Sequence, residues 1–352
     1  MTNLVPTREH TELASSVRSL LDRRSDSQAV RTAMSSSDGF DRELWATLCD
    51  QVGAAALAIP EEHGGAGFTL AETYVVLEEL GRALTPSPLL ASVISSAALS
   101  EGALLERIAS GVVATLAWSG ITGPADAPVD VTFQDGTLTG TVSPVLNGDT
   151  AEILLVVAKH GDGVGLFCVD PSESGLSRMR IGGLDPTFGF ASIELDAVPA
   201  EPITLDATEL LNATHRVGAL AVTALQVGCA QRGLDMTVDY TKQREQFGRP
   251  IGSFQALKHR MADMLVRTQM SRAGAWAAVQ AHVHGSPDFD RMAAAASSYC
   301  SEAALAVAAE TAQLHGGIAI TWEHDAHLVL KRAQALNQLF GQPHQQRQSL
   351  IL

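Results

Sequence analysis

The sequence predicts a multidomain α+β protein: an N-terminal helical domain (1–112), a central antiparallel β domain (113–203) and a C-terminal four-helix bundle (204–352). Three observations predict it. Apolar residues recur at helical spacing before residue 112 and again after 204. Between these stretches the period shortens to brief β-rich runs, separated by Asp-Gly at 135–136, Asn-Gly at 147–148 and Asp-Gly at 162–163. Aromatic residues are only 5% of the chain and alanine is abundant, a mix that suits helices crossing closely on small side chains.

In order, 10–21 carries helical spacing, whereas 25–34 is polar and is expected to be a loop or a frayed end. DRELWATLCDQV at 41–52 reads as a short amphipathic helix capped by Asp41. Pro60 with Gly64 and Gly65 forces a loop within 54–68. Residues 70–84 return to a strong helical pattern bearing Glu72, Glu78 and Glu79, stopped by Pro86 and Pro88; another short helix is expected at 89–108. Strands are expected at 112–118, 129–134, 138–142, 153–157, 165–169 and 191–195, in a sandwich or barrel ending near Pro199 and Pro202. Helices are expected at 209–243, 254–284, 287–314 and 322–340, with the alanine-rich 292–312 the most buried.

Composition narrows the function. A formal net charge of −15 argues against a general nucleic-acid binder, which needs a basic face, but leaves room for a phosphate-bearing small ligand held by a local arginine cluster. Cys49, Cys168, Cys229 and Cys300 lie far apart without a CxxC pair, which points to reduced thiols in a cytoplasmic protein rather than a zinc or redox motif. MTNLVPTREHTELASS has no signal pattern. The longest apolar run, 217–230, is too short to span a bilayer and contains Gln226, so it reads as a buried helix. His324 and His327 sit near Glu323 and Asp325, but three-residue histidine spacing does not match a helical zinc site, and no metal is expected.

The stretch 241–255, TKQREQFGRPIGSFQ, breaks one helical pattern and opens another. Gly248 and Pro250 stop the first helix, and Ser253 is placed to cap the next. Arg244, Phe247 and nearby amides beside a helix start could form a pocket for a phosphate and a flat ring. By spacing alone, a helical hairpin with a solvated arginine is the favoured reading.

Three motifs in order change that balance: IPEEHGGAG at 59–67, the RxxFG of 244–248 with PIGSFQ after it, and QLHGGIAIT at 313–321. With the order helical, β, helical, they resemble the acyl-CoA dehydrogenase family over most of the chain. The resemblance implies oxidation of an acyl-CoA to its trans-2-enoyl-CoA, with a glutamate taking the α-proton and FAD receiving the β-hydrogen as hydride. It implies an electron-transfer flavoprotein or similar acceptor. It also implies that Arg244, Gln246, Phe247 and Gln255, with Gln313, Gly316 and Gly317, grip a flavin held mainly by a neighbouring subunit.

The sequence departs from that family where the proton chemistry belongs. Counting from Arg332 places one expected glutamate near Gly341, with Phe340 in place of a tyrosine. Counting back from Phe247 places the alternative near Gly218. Neither is a carboxylate, and Asp206 and Glu209 lie too far from 218 to substitute. The strand end expected to meet the flavin ring reads ATLAWSG at 114–120, where Trp118 is expected to be core. No catalytic residue is therefore assigned. One half of a site is intact and the other degraded, which resembles one subunit of the heteromeric α2β2 acyl-CoA dehydrogenases of actinobacterial steroid side-chain degradation. The expectation is a chain of little or no activity alone, acting on a CoA thioester with a homologous partner that supplies the base. Two other readings stay open: a self-sufficient homotetramer with a displaced base, and a flavin-free structural paralogue.

Overall fold

Six helices open the chain: α1 (Arg8–Arg24), α2 (Ser27–Met34), α3 (Arg42–Val52), α4 (Leu70–Ala83), α5 (Leu89–Ala97) and α6 (Ala103–Ala109). The computed structural model describes residues 5–100, 102–348 and 350. Asp41 caps α3 as expected, accepting from the Glu43 and Leu44 amides at 2.9 and 3.0 Å. The polar stretch expected to be a loop is instead α2. Asp26 accepts from the Ala29 amide at 2.8 Å, and Val30 and Ala33 are buried, so a cap and two core contacts override its polarity. The single helix expected at 89–108 is split into α5 and α6, with Gly102 at φ +99° between them. The three acids of α4 have separate uses. Glu72 completes a capping box with Thr69, Glu79 receives Arg18 at 2.6 and 2.9 Å, and Glu78 receives Arg272 at 2.9 Å.

The strands are β1 (Ala114–Ala117), β2 (Thr132–Gln134), β3 (Thr137–Leu146), β4 (Ile153–His160), β5 (Gly163–Val169), β6 (Leu176–Ile181), β7 (Phe190–Pro199) and β8 (Glu201–Thr204). They join in the order β6-β7-β3-β2-β4-β5-β8, with β1 beside β4. Most pairs are antiparallel, but β1 and β2 both run parallel to β4, so the sheet is mixed rather than purely antiparallel. β6 and β8 escape sequence patterning because they are edge strands: their side chains are exposed or half-buried, and no apolar alternation is demanded of them. The other strands enclose Leu138, Val142, Leu154, Val156, Phe167, Ile193 and Leu195.

The last part comprises α7 (Thr208–Gln243), the hairpin β9 (Glu245–Gln246) and β10 (Arg249–Pro250), α8 (Gln255–Val283), α9 (Phe289–His315), α10 (Ala326–Leu336) and α11 (Pro343–Gln348). The fourth bundle helix is shorter than expected, and the short α11 follows it. The most completely enclosed segment lies in α7, where every residue from 218 to 230 is buried, rather than in α9. By length and composition Phe289–Ile320 could cross a bilayer; here it packs within the bundle against α7 and α8. α4 and α7 cross on bare backbone. A Cβ on Gly81 would lie 2.5 Å from the Leu225 carbonyl oxygen, and one on Gly228 would run into Glu78 O and Arg82 N.

One ion pair ties the three regions together. Arg332 of α10 is 1% exposed, and its Nε donates to Asp185 Oδ2 at 2.8 Å and to Thr187 Oγ1 at 2.9 Å. Its Nη2 donates to the Leu84 carbonyl at 3.4 Å, and the guanidinium lies 4.4 Å from the Phe188 ring centroid. Asp185 also accepts from the Thr187 amide and hydroxyl, at 3.0 and 2.6 Å. Two predictions follow from these contacts, both read by urea unfolding. Arg332→Ala should lower stability by about 3–5 kcal/mol, because Asp185 stays buried without its counter-charge. Gly228→Ala should cost about 1–3 kcal/mol by forcing α4 and α7 apart.

Candidate cofactor-binding site

The end of α7 passes into the hairpin through Arg244, whose amide donates to Tyr240 O at 2.8 Å. Arg249 pairs with Gln246 and Pro250 with Glu245. The two residues of the turn, Phe247 and Gly248, have φ of +54° and +75°, as a two-residue hairpin of this hand requires. A phenylalanine is unfavourable in that region of backbone space. It nevertheless stands there 91% exposed, with its ring 6.1 Å from Phe254. Arg249 lies 4.1 Å from the Phe254 ring centroid. Gln246 donates to Glu245 O at 2.7 Å. Ser253 does not cap α8 as expected. Ile251–Ser253 forms a 3-10 turn, Phe254 is the residue before the helix, and no side chain caps it.

QLHGG ends α9 at His315. Gly316 has φ +65° and ψ −144°, a conformation open essentially to glycine alone, and starts the 3-10 turn Gly316–Ile320. Nothing lies within 4 Å of where a Cβ on Gly316 or Gly317 would sit, so this backbone is open to an approaching group. The start of α8 and the end of α9 lie side by side. Leu257, Met261 and Leu314 share an apolar cluster with Leu234 and Val238 of α7, and Arg260 donates to Glu310 at 2.6 Å. Arg244, Gln246, Phe247, Gln255, Gln313, Gly316 and Gly317 therefore gather at one end of the bundle, all seven exposed. They offer a guanidinium for phosphate oxygens, an aromatic face, amides that both donate and accept, and backbone free for close approach.

The chain's own cleft lies elsewhere along α7. Gly218 and Gly341, the positions reached by counting for a carboxylate, are bare, and Phe340 fills the space. A Cβ on Gly218 would lie inside van der Waals contact with the Phe340 ring. Phe340 is fully buried and its amide donates to Ile121 O at 2.7 Å. Its ring meets His215 edge-on at 5.4 Å, and His215 meets Trp118 at 6.0 Å. Trp118 is buried core, as expected. His215 Nε2 lies 2.9 Å from Gly123 O; a carbonyl only accepts, so Nε2 carries the proton. Burial pushes the His215 pKa below the usual imidazole value, and the hydrogen bond to Gly123 opposes this only in part. The imidazole is therefore neutral at neutral pH and joins the wall as an uncharged ring.

Beside this wall a cavity of about 290 Å³ remains, lined by His215, Arg216, Asp290, Gly341 and Gln345 among others. Its carboxylate, Asp290, is paired to Arg216 at 3.2 Å and largely exposed. Sequence reasoning missed both His215 and Asp290. His215 precedes Gly218 by three, so helical spacing could have placed it on the same face. Asp290 reaches the cavity from another helix and carried no local signal. A larger cavity, about 660 Å³, opens between α1, α4, α7 and α8. Its charges are internally paired as Arg18–Glu79, Arg272–Glu78 and Arg82–Asp235.

Comparison with known proteins bears on the same regions. The family model for the acyl-CoA dehydrogenase N-terminal domain matches residues 7–106, and that for the C-terminal domain matches 209–350. The chain is 41% identical over 348 residues to acyl-CoA dehydrogenase IpdE2 of Mycolicibacterium smegmatis, covering 97% of each protein. It is 40% identical to acyl-CoA dehydrogenase IpdE2 of Mycobacterium tuberculosis, covering 97% of this chain and 96% of that one. Among solved structures, a variant of the Tcur3481-Tcur3483 steroid ACAD superposes with TM-score 0.85 at 32% identity, covering 97% of this chain and 96% of that one. The ChsE4-ChsE5 complex from Mycobacterium tuberculosis does so with TM-score 0.88 at 26% identity, covering 99% and 97%. Both terminal regions match, and relatives align over nearly the full length: the chain belongs to the acyl-CoA dehydrogenase family, oxidoreductases that act on acyl-CoA with FAD.

Proposed function

We propose that this chain is the subunit without a base in a heteromeric acyl-CoA dehydrogenase. Arg244, Gln246, Phe247, Gln255, Gln313, Gly316 and Gly317 contact an FAD whose ring and catalytic carboxylate belong to a homologous partner. The observation that carries this reading is the contrast along α7. At Gly218 the cleft is filled by Phe340, whereas at Tyr240 and beyond every proposed contact faces outward. At 1.5 Å per residue the two places are about 33 Å apart, so the exposed end serves a different site from the filled cleft. Bound FAD would supply the hydride-accepting chemistry for the acyl β-carbon. This chain's residues orient its phosphates and adenine, and Phe340, His215 and Trp118 keep their own cleft closed to substrate.

The substrate proposed is a CoA thioester with a bulky acyl group, a steroid side chain being one such group. The 32%-identical steroid ACAD supports that class, and the two-component structures support a partner. An electron-transfer flavoprotein or similar acceptor is the electron-accepting partner proposed for such a complex, and a cytoplasmic setting fits the free cysteines.

Co-expression with a homologous chain that retains the glutamate, followed by flavin counting, is expected to give one FAD per pair of unlike subunits. The protein alone should show no acyl-CoA dehydrogenase turnover; turnover at ordinary enzyme rates would sink the proposal. Arg244→Ala should strip most flavin from the complex while leaving the melting temperature of this subunit nearly unchanged. Gly218→Glu should not create activity in the isolated chain. It should lower stability by about 1–3 kcal/mol or more, because Phe340 occupies the space, and Phe340→Ala in the same chain should recover part of the loss.

A further inference from the structure

The two gripping segments are far apart in sequence, and a ring stack, buried at His315 and half-buried at Tyr240, joins them. His315 closes α9 one residue before Gly316. Its Nδ1–H donates to Thr311 O at 2.7 Å, which fixes the ring against its own helix. That ring is stacked on Tyr240 of α7, with centroids 4.5 Å apart and 28° between planes. Tyr240 O in turn accepts the amide of Arg244, the first residue of the hairpin. His315 also meets His324 at 4.5 Å in a tilted contact, and His324 meets Tyr240 edge-on at 6.2 Å, so the three rings form a compact triangle. The His324 ring nitrogen Nδ1 accepts from the Ala326 amide at 3.2 Å, so the third ring is fixed to the start of α10. An unbroken chain of contacts thus runs from Arg244 through Tyr240 and His315 to Gly316.

We infer that Tyr240 and His315 are positioning residues that hold the Arg244–Phe247 hairpin and the Gln313–Gly317 loop in register as one cofactor-binding surface. The inference rests on the proposed cofactor role of those two segments. Its physical content is simple. Neither segment touches the other through a strand or a salt bridge between its gripping residues. The ends of α7 and α9 pack through the apolar cluster of Leu234 and Leu314 and through Thr311 against Gly233, and the ring stack is the side-chain contact beyond that cluster that opposes a shift between the two segments. Stacked rings at a fixed hydrogen-bonded angle resist that shift, and geometric precision of this kind decides how well a rigid, multiply charged ligand is held.

The test uses the co-expressed complex and measures FAD affinity by titration after flavin removal, with thermal melting and size-exclusion chromatography alongside. Tyr240→Ala and His315→Ala should each weaken FAD binding about tenfold or more while the unlike-subunit assembly persists. Tyr240→Phe, which keeps the ring, should bind within about twofold of the native complex, whereas His315→Phe, which keeps a ring but loses the bond to Thr311, should fall between the native complex and His315→Ala. Equal affinity in Tyr240→Ala, His315→Ala and the native complex would overturn the inference. So would a loss in Tyr240→Phe as large as that in Tyr240→Ala, since the stack would then not be the cause. Arg244→Ala, run in parallel, separates the two levels. If it leaves FAD in place, the cofactor assignment itself is wrong; if it strips FAD while the alanine variants at 240 and 315 do not, only the positioning role fails.

Discussion

Everything in this molecule is referred to a charge pair that water does not reach. Arg332 and Asp185 belong to α10 and to the loop before β7, and the Leu84 carbonyl that shares the guanidinium ends α4. Isolated charges cannot remain buried, so Arg332, Asp185 and Thr187 must be satisfied together, and the three regions must meet at one angle for that to happen. A second interior carboxylate works similarly at the N-terminal side. Asp325 accepts Ser27 and Arg31 of α2, both at 2.7 Å, and Arg232 of α7 at 3.5 Å. Its pKa is held below the usual carboxylate value by those partners against the opposing effect of burial. Ion pairs of this kind contribute orientation more than net stability, and orientation is what a site assembled from several helices needs.

Given that frame, α7 works as a rod on which unlike environments are strung. Near its middle, Gly228 lets α4 approach to backbone contact. Ten residues earlier, Gly218 makes room for Phe340. At the C-terminal end, Tyr240 stacks on His315 and hands the chain to an exposed hairpin. The helix shows no single apolar face over its length because its two ends meet different neighbours. That is why a filled cleft and an exposed hairpin can coexist on one element without compromise.

The fold was largely legible. Period-3.6 and period-2 apolar spacing reports which side chains face a core, and the long helices and central strands have cores on definite sides. Failures fell where burial makes little or no such demand: the exposed edge strands β6 and β8, the cap of α8, where Ser253 is taken up by a 3-10 turn, and the short helix α2, where only Val30 and Ala33 are buried and Asp26 caps a largely polar stretch. The parallel pairing of β1 with β4 was beyond reach as well, since strand direction depends on how intervening elements pack rather than on local pattern.

The sequence by itself determined the family, through three ordered motifs, and the absence of a carboxylate at Gly218 and Gly341, because residue identity at a counted position needs no coordinates. Only the tertiary structure decided what replaces those carboxylates. A missing side chain could leave an empty cleft or a filled one. Here Phe340 is turned inward by positive φ at 340 and 341 and held by Ile121, closing the space against His215 and Trp118. The structure also decided that Tyr240 and His315, seventy-five residues apart, share one stack, since no local pattern records which helix ends meet when α7 and α9 pack side by side.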